Sequence, residues 1–287
     1  MMVSLLPTRR ASYSSSSPTE CESRSRSYAS KASTWLSRSA PARRVSTRSK
    51  LGTGMRSLSS REQSKSLEAR GFQVSGLVRE GYPPFEILDQ IESGRHELAV
   101  LGTGKAGRLG QVVLGSASTK VLHASPTSVL IVHMADESQD GRILVGIDGS
   151  GASESAVHAV GELCDPQRVK VHLSAAIRLS DAAALGGDWA GLASKGRKKL
   201  LVQLRSQAEN DFGRARRSLE ERGFAVTSNL AEGNPAEQLL VQAEEGNFDV
   251  VAVGSRGRTI LERVLLGSVT DRVVRQSRAS LVGRRTA

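Results

Sequence analysis

The chain has 287 residues, of which 38% are hydrophobic and only 3% are aromatic, so a buried core has to be built from Val, Leu, Ile and Ala. The formal net charge is +11, but residues 1–60 hold 11 Lys and Arg against two Asp and Glu, which leaves the rest of the chain nearly neutral. A nucleic-acid-binding domain carries its positive charge on the folded surface, so this distribution argues against a nucleic-acid partner, and no apolar run is long enough to span a membrane.

The first segment, residues 1–63, is rich in Ser and Arg, poor in acids and without helical or strand periodicity. Such a composition cannot bury enough apolar surface to offset the entropy of ordering, so we predict that this segment is disordered. Three origins stay open for it: a frameshifted or eroded first half of an ancestral repeat, an organellar transit peptide, or a native basic tail. Translation of the encoding DNA in the other two frames tests the first of these.

An internal repeat follows, with a constant offset of 152 residues between its copies. Residues 66–72 (SLEARGF) return at 218–224 (SLEERGF), and Leu114-Gly115-Ser116 returns as Leu266-Gly267-Ser268. An ungapped register over this length indicates a duplication. We therefore predict a truncated first repeat at 64–136 and a complete second repeat at 140–287.

The second copy alternates between strand and helix patterns. Strands are predicted at 142–148, 169–176, 224–230, 249–253 and 280–282. Helices are predicted after the N-cap Ser150, over the amphipathic stretch 201–219, after the N-cap Asn234 with Pro235 at the first helical position, and over 268–276. This alternation predicts an α/β fold with a parallel, doubly wound, Rossmann-like sheet of about five strands in the complete second repeat, plus a partial first repeat.

A glycine-rich turn follows the fourth strand of this copy. Gly254-Ser255-Arg256-Gly257 ends the strand, and Gly267-Ser268 begins the last helix. Glycines allow the backbone to approach a ligand closely, and the N–H groups and dipole at a helix N-terminus attract negative charge. The turn therefore predicts a phosphate site at the carboxyl end of the sheet.

The pattern G-x2-G-x9-G-S after a strand, together with the turn from Gly146 to Ser150, resembles the ATP-binding signature of the universal stress protein family. The resemblance implies an adenine-nucleotide-binding protein with a regulatory or stress-response role, which takes ATP with or without Mg²⁺. It implies that Asp148 contacts the ribose or adenine and that Ala176 lines the adenine pocket. The full set of implied cofactor-binding residues is Gly146, Ile147, Asp148, Ala176, Gly254, Gly257, Gly267, Ser268, Val269 and Thr270.

The resemblance also implies pairing through the last strands, either as a homodimer or between the two copies of one chain. In the first copy, Lys105 stands at the position of Gly257, and the position equivalent to Asp148 would fall before Met1. We therefore expect one nucleotide site and no first strand in the first copy. Residues 66–134 are expected to pack against the second repeat or a partner chain through Val129–Val132. The final strand, residues 280–282, is expected to be interrupted by Gly283 and the two arginines that follow it.

The sequence contains no paired carboxylates, nucleophile elbow or catalytic triad order, so we assign no catalytic residues and expect at most weak ATP hydrolysis. Five scattered histidines and the two cysteines, Cys21 and Cys164, have no metal-site spacing. The alternatives are a nucleotide-free interaction or dimerisation module, a slow ATP-hydrolysing enzyme of the same fold, and a nucleic-acid binder that acts through the basic N-terminus. Cytoplasmic localisation is predicted, with organellar targeting by residues 1–60 left open.

Overall fold

The computed structural model describes residues 2–5, 44–47, 65, 68–69, 72–77, 79–102, 114–133, 141–178, 194–255 and 266–284. In these ranges the strands are β1 (Met2–Leu5), β2 (Arg44–Thr47), β3 (Gln73–Gly76), β4 (Leu98–Gly102), β5 (Ser128–Val132), β6 (Arg142–Gly146), β7 (Lys170–Ile177), β8 (Ala225–Glu232), β9 (Val250–Gly254) and β10 (Ala279–Gly283). The helices are α1 (Pro83–Ser93), α2 (Ser116–Ala124), α3 (Gly151–Leu163), α4 (Ser194–Glu220), α5 (Pro235–Glu245) and α6 (Ser268–Gln276). Within these ranges no helix has the length and apolar character to cross a bilayer.

The second repeat forms five parallel strands in the order β10-β9-β6-β7-β8. Apolar side chains of α3 and α4 pack on one face of this sheet, and those of α5 and α6 pack on the other. Every residue of β9 is buried, as its nearly unbroken apolar sequence predicts for a strand covered on both faces. The predicted doubly wound, parallel α/β architecture is confirmed, and the predicted strand bounds differ by one or two residues.

Both predicted side-chain caps are confirmed. The Ser150 hydroxyl accepts a hydrogen bond from the Ser153 N–H at 3.1 Å, which fixes the start of α3. The Asn234 side chain accepts from the Ala236 N–H at 3.0 Å, and Pro235 occupies the first position of α5. These caps set where α3 and α5 leave the carboxyl edge of the sheet.

The two repeats join through an antiparallel strand pair in one ten-stranded sheet. β5 pairs with β10, with Val132 opposite Ala279 and Val129 opposite Val282, and both strands are fully buried. The expected packing of the first repeat through Val129–Val132 is thus confirmed. The expected interruption comes one residue later than predicted, because β10 includes Gly283 and ends before Arg284. A Cβ on Gly283 would lie 2.6 Å from the Ser155 carbonyl oxygen, so glycine lets α3 pack against the strand.

The first repeat shows the strand order β3-β2-β1-β4-β5, which matches the order in the second repeat. β1 fills the place beside β4 that β6 fills beside β9, but it runs antiparallel to β4. The expectation that no strand stands there is wrong. The comparison of the two copies at the 152-residue offset misses β1, because it can detect only strands that have the same spacing along the chain in both copies. β1 and β2 lie inside residues 1–63, and the domain boundary drawn at residue 63 stays a prediction.

Position 96 distinguishes the two repeats chemically, because the buried His96 stands where the second repeat has the buried Phe248. Both follow a helix that ends at a glycine, Gly94 or Gly246, and both rings lie over that glycine. The His96 ring nitrogen Nε2 lies 3.3 Å from the Gln90 side-chain nitrogen, and burial lowers the pKa of His96 to about 4.

We predict that His96 makes the fold sensitive to mild acid. An unfolded histidine titrates near its ordinary pKa, so between that value and about pH 4 the unfolded chain binds the extra proton and the folded chain does not. The contribution of His96 to stability is therefore present above this window and is lost as the pH falls through it, by roughly 3 kcal/mol in total. Urea unfolding of wild type and His96→Phe at pH 5 and pH 8 measures it.

The His96→Phe variant copies the residue of the second repeat and cannot take up a proton. We expect it to gain stability relative to the wild type as the pH falls from 8 to 5. An identical pH dependence for the two proteins would contradict the prediction. Carboxylates that titrate in the same range affect both proteins equally, so the comparison isolates position 96.

Candidate functional site

One cavity of about 590 Å³ opens at the carboxyl ends of β6, β7 and β9. Nine of the ten residues that the resemblance implies for a cofactor lie along it: Gly146, Ile147, Asp148, Ala176, Gly254, Gly267, Ser268, Val269 and Thr270. The tenth, Gly257, lies outside the described residues, as does Lys105 of the first repeat. Residues that are up to 124 positions apart in the sequence are thus brought to one place by the parallel strands.

The N-terminus of α6 is held firmly against the end of β9. The Gly267 N–H donates to the Ser255 carbonyl at 3.0 Å, and the Thr270 hydroxyl donates to the Gly254 carbonyl at 2.7 Å. No side chain caps α6, whereas α3 and α5 both have one. An uncapped first turn presents its N–H groups and the positive end of the helix dipole at the cavity, which is the arrangement that binds an anion.

Gly254 is required by packing, whether or not a ligand binds. A Cβ at this position would lie 2.7 Å from the Ser153 nitrogen and closer still to the carbonyl group of Ala152. The first turn of α3 therefore sits directly over the end of β9. This close approach narrows the carboxyl edge of the sheet and helps to form the cavity wall.

Asp148 shapes the turn between β6 and α3. Its Oδ1 accepts from the Ser150 N–H at 2.9 Å and from the Ser150 hydroxyl at 2.6 Å. Gly149, between them, has φ of +73°, a conformation that favours glycine. Asp148 thus orders the loop that borders the cavity, and it is one of the residues that line the cavity.

Several lining residues were missed by the sequence analysis. Ser174 on β7 and Arg178, the first residue after β7, share the alternation of Ala176, so a period-two pattern through Ala176 would have indicated them. Gln207 and Asp211, one helical turn apart on α4, face the same cavity, but their spacing alone does not distinguish them from a solvated helix face. The remaining apolar wall is formed by Leu204, Leu230, Pro235, Leu239 and Val253, among others.

Asp211 also borders a second, smaller cavity of about 270 Å³ between α3 and α4, which shares Ile147 and Ser153 with the larger one. The Asp211 carboxylate forms a salt bridge with Arg214 at 2.8 Å, and Arg214 forms a second salt bridge with Glu154 at 3.1 Å. Among the described residues, no group of three or more His, Cys, Asp or Glu side chains could hold a metal ion.

The family model described as the universal stress protein family matches residues 21–133 and 141–282. The first match begins inside the segment 1–63, for which the sequence analysis predicts disorder.

Individual relatives agree with the family match. A universal stress protein of Mycolicibacterium smegmatis is 33% identical over 214 residues, which cover 73% of this chain and 68% of the relative. One of Methanocaldococcus jannaschii is 30% identical over 138 residues, which cover 47% of this chain and 76% of the relative. The crystal structure of a universal stress protein from Archaeoglobus fulgidus matches 96% of this chain and 98% of its own, with a TM-score of 0.64 and 19% identity, and so shares its fold.

Proposed function

The chain belongs to the universal stress protein family, and from this premise we propose that the cavity of its second repeat binds an adenine nucleotide, ATP first among them, in a regulatory or stress-response role. The observation that carries the proposal is convergence. Nine residues chosen from sequence motifs line one cavity, beside a helix N-terminus without a side-chain cap. The volume of about 590 Å³ lies in the range of small-molecule sites.

In this proposal the phosphates lie at the first turn of α6. The N–H groups of Ser268, Val269 and Thr270 have no side-chain cap to accept them, so phosphate oxygens can do so. The sugar and base lie over β6 and β7, near Asp148 and Ala176. Mg²⁺ would enter with the phosphates, because the described residues offer no metal-binding cluster of their own.

A nucleotide-free interaction module is the second candidate, because three of the site residues also have structural roles. Gly254 permits the approach of α3, Asp148 orders a turn, and Thr270 ties α6 to β9. These structural roles do not depend on a bound ligand. The two candidates therefore differ only in whether the cavity is occupied.

The test is direct. We expect the purified protein, once denatured, to release an adenine nucleotide, and the refolded or nucleotide-stripped protein to bind ATP in calorimetric titrations with and without Mg²⁺. GTP and inorganic triphosphate serve as comparison ligands. Absence of any released nucleotide together with no heat of ATP binding would leave the nucleotide-free module as the function.

We also propose that the last-strand pairing of this chain is internal. β10 has β9 on one side and β5 on the other, so neither of its edges is left for a second copy. Light scattering at increasing protein concentration measures this. A dimer that dissociates when β10 is altered, with the repeats still folded, would argue for pairing between chains.

A further inference from the structure

Asp211 is a buried carboxylate on the inward face of α4. Where the structure describes the burial of α4 residues, the other buried ones are Ala208, Phe212, Ala215 and Leu219, all of them apolar. The Asp211 side chain is only 8% exposed. Burial of a charge costs free energy unless its surroundings repay it, so native proteins rarely keep such a residue without a reason.

Arg214 supplies one reason for this carboxylate. Arg214 donates to Asp211 Oδ1 at 2.8 Å and also pairs with Glu154 of α3 at 3.1 Å, which links the two helices. The Arg214 side chain is half exposed, so this link lies towards the solvent. A carboxylate has two oxygens with about four acceptor sites in all, so the bond from Arg214 does not by itself use up its capacity.

The position of Asp211 indicates where a further hydrogen-bond donor would come from. Asp211 lines both cavities, as do Ile147 and Ser153, and it is the charged member of these three. On α4 its neighbours along the larger cavity include the apolar side chains of Leu204 and Ala208. In apolar surroundings a hydrogen bond to a carboxylate is stronger than in water, so a donor group of a ligand in this part of the cavity would be bound well.

The phosphate end of the larger cavity is far from Asp211. α4 packs against β7 and β8, whereas α6 begins beside the end of β9. β7 and β9 are separated by β6, and two strand spacings amount to about 10 Å. In addition, α4 and α6 pack on opposite faces of the sheet. With the phosphates at α6, the part of a nucleotide that can reach Asp211 is therefore the nucleoside.

We infer that the Asp211 carboxylate accepts a hydrogen bond from the nucleoside part of the ligand and thereby selects it. This inference rests on the proposed nucleotide-binding function and adds a residue that neither the motifs nor the family resemblance indicates. The strong donors of an adenine nucleoside are its sugar hydroxyls and its exocyclic amino group, and a carboxylate accepts from both kinds of group. Acidic side chains bind sugar hydroxyls in the same way in dinucleotide-binding parallel α/β folds.

The sign of the effect of Asp211→Asn on ATP binding tests the inference. This change keeps the shape of the side chain and removes its charge. If Asp211 only lay near the ligand, the loss of a negative charge would remove a repulsion and strengthen the binding of ATP. We expect the opposite. ATP and adenosine should bind about 5- to 10-fold more weakly, because a hydrogen bond to a charged acceptor is stronger than one to an amide. Calorimetric titrations of both proteins measure this.

Two analogues of ATP identify the donor group. A dideoxy analogue lacks both sugar hydroxyls, and inosine triphosphate lacks the exocyclic amino group. We expect Asp211→Asn to bind one of these two analogues as tightly as the wild type does, because the group that Asp211 recognises is then already missing. A weakening that persists for both analogues would overturn the inference.

Glu154→Gln is the matched control. Glu154 pairs with the same Arg214, but it lines only the smaller cavity, whereas Asp211 lines both. The two variants each remove one carboxylate charge from the link between α3 and α4. We expect Glu154→Gln to leave the affinity for ATP and for adenosine unchanged. Thermal unfolding without ligand shows whether both variants are folded.

The outcomes separate the inference from the proposed function. If the wild type binds ATP and Asp211→Asn binds it equally well or more tightly, the role of Asp211 is rejected and the nucleotide site stands. If both variants lose ATP affinity to the same extent, the effect comes from the link between α3 and α4, and the inference is again rejected. If the wild type binds neither ATP nor adenosine, the proposed function fails and the inference fails with it.

Discussion

Replacement of Gly254 by alanine is expected to destabilise the second repeat by about 3 kcal/mol or more. The added Cβ would meet the backbone of α3, at 2.7 Å from the Ser153 nitrogen and closer at the Ala152 carbonyl. Backbone atoms cannot swing aside as the end of a flexible side chain can. Either α3 or the end of β9 therefore has to move, and the burial of both would be lost in part.

Gly151→Ala is the control for this change, because a Cβ on Gly151 would meet nothing within 4 Å. Gly151 begins the same helix α3, where alanine is the better helix former by up to about 1 kcal/mol. Urea unfolding should thus show a lower midpoint for Gly254→Ala and an equal or higher one for Gly151→Ala. Equal midpoints for Gly254→Ala and wild type would show that α3 does not sit as close to β9 as described.

The second large effect is expected from a negative charge at the start of α6. Ser268 is exposed and is the first residue of that helix. A carboxylate there suits the helix dipole, so Ser268→Asp should preserve or slightly raise stability, by about 0.3–1 kcal/mol. The same carboxylate repels phosphates bound at this turn, and we expect ATP affinity to fall on the order of 100-fold.

The first repeat provides the control, because Ser116 is the exposed first residue of α2, which is also without a side-chain cap. Ser116→Asp should have the same effect on stability and none on ATP binding. Calorimetric titration of both variants with ATP decides between them. Unchanged ATP affinity in Ser268→Asp would place the phosphates elsewhere, and a loss in Ser116→Asp would indicate a second site.

Local signals predicted most of the second repeat. The caps at Ser150 and Asn234 and the apolar run of β9 depend on neighbours in sequence, and the structure confirms them. The motif residues converge for a similar reason, since parallel strands bring their carboxyl ends to one edge. These features need no knowledge of distant contacts.

Features that depend on distant contacts were not predictable in the same way. β1 is only four residues long and pairs with β4, which lies about a hundred residues further on, so periodicity carries no signal for it. Gln207 and Asp211 line the cavity from α4, but their spacing in the sequence is the same as that of a solvated helix face. Gly283 looks like a strand breaker until the packing of α3 supplies its reason.

The antiparallel pair of β5 and β10 has a consequence for how the two copies can evolve. Residues 133–141 join the two repeats covalently. β5 and β10 therefore meet at a high effective concentration, whatever the protein concentration in solution. Pairing of separate chains would be lost by dilution, while this pairing is not. Selection on the first copy can then act on the β5–β10 pairing alone. The first copy's counterpart of the proposed nucleotide-binding turn is free to change, as the lysine at position 105 illustrates.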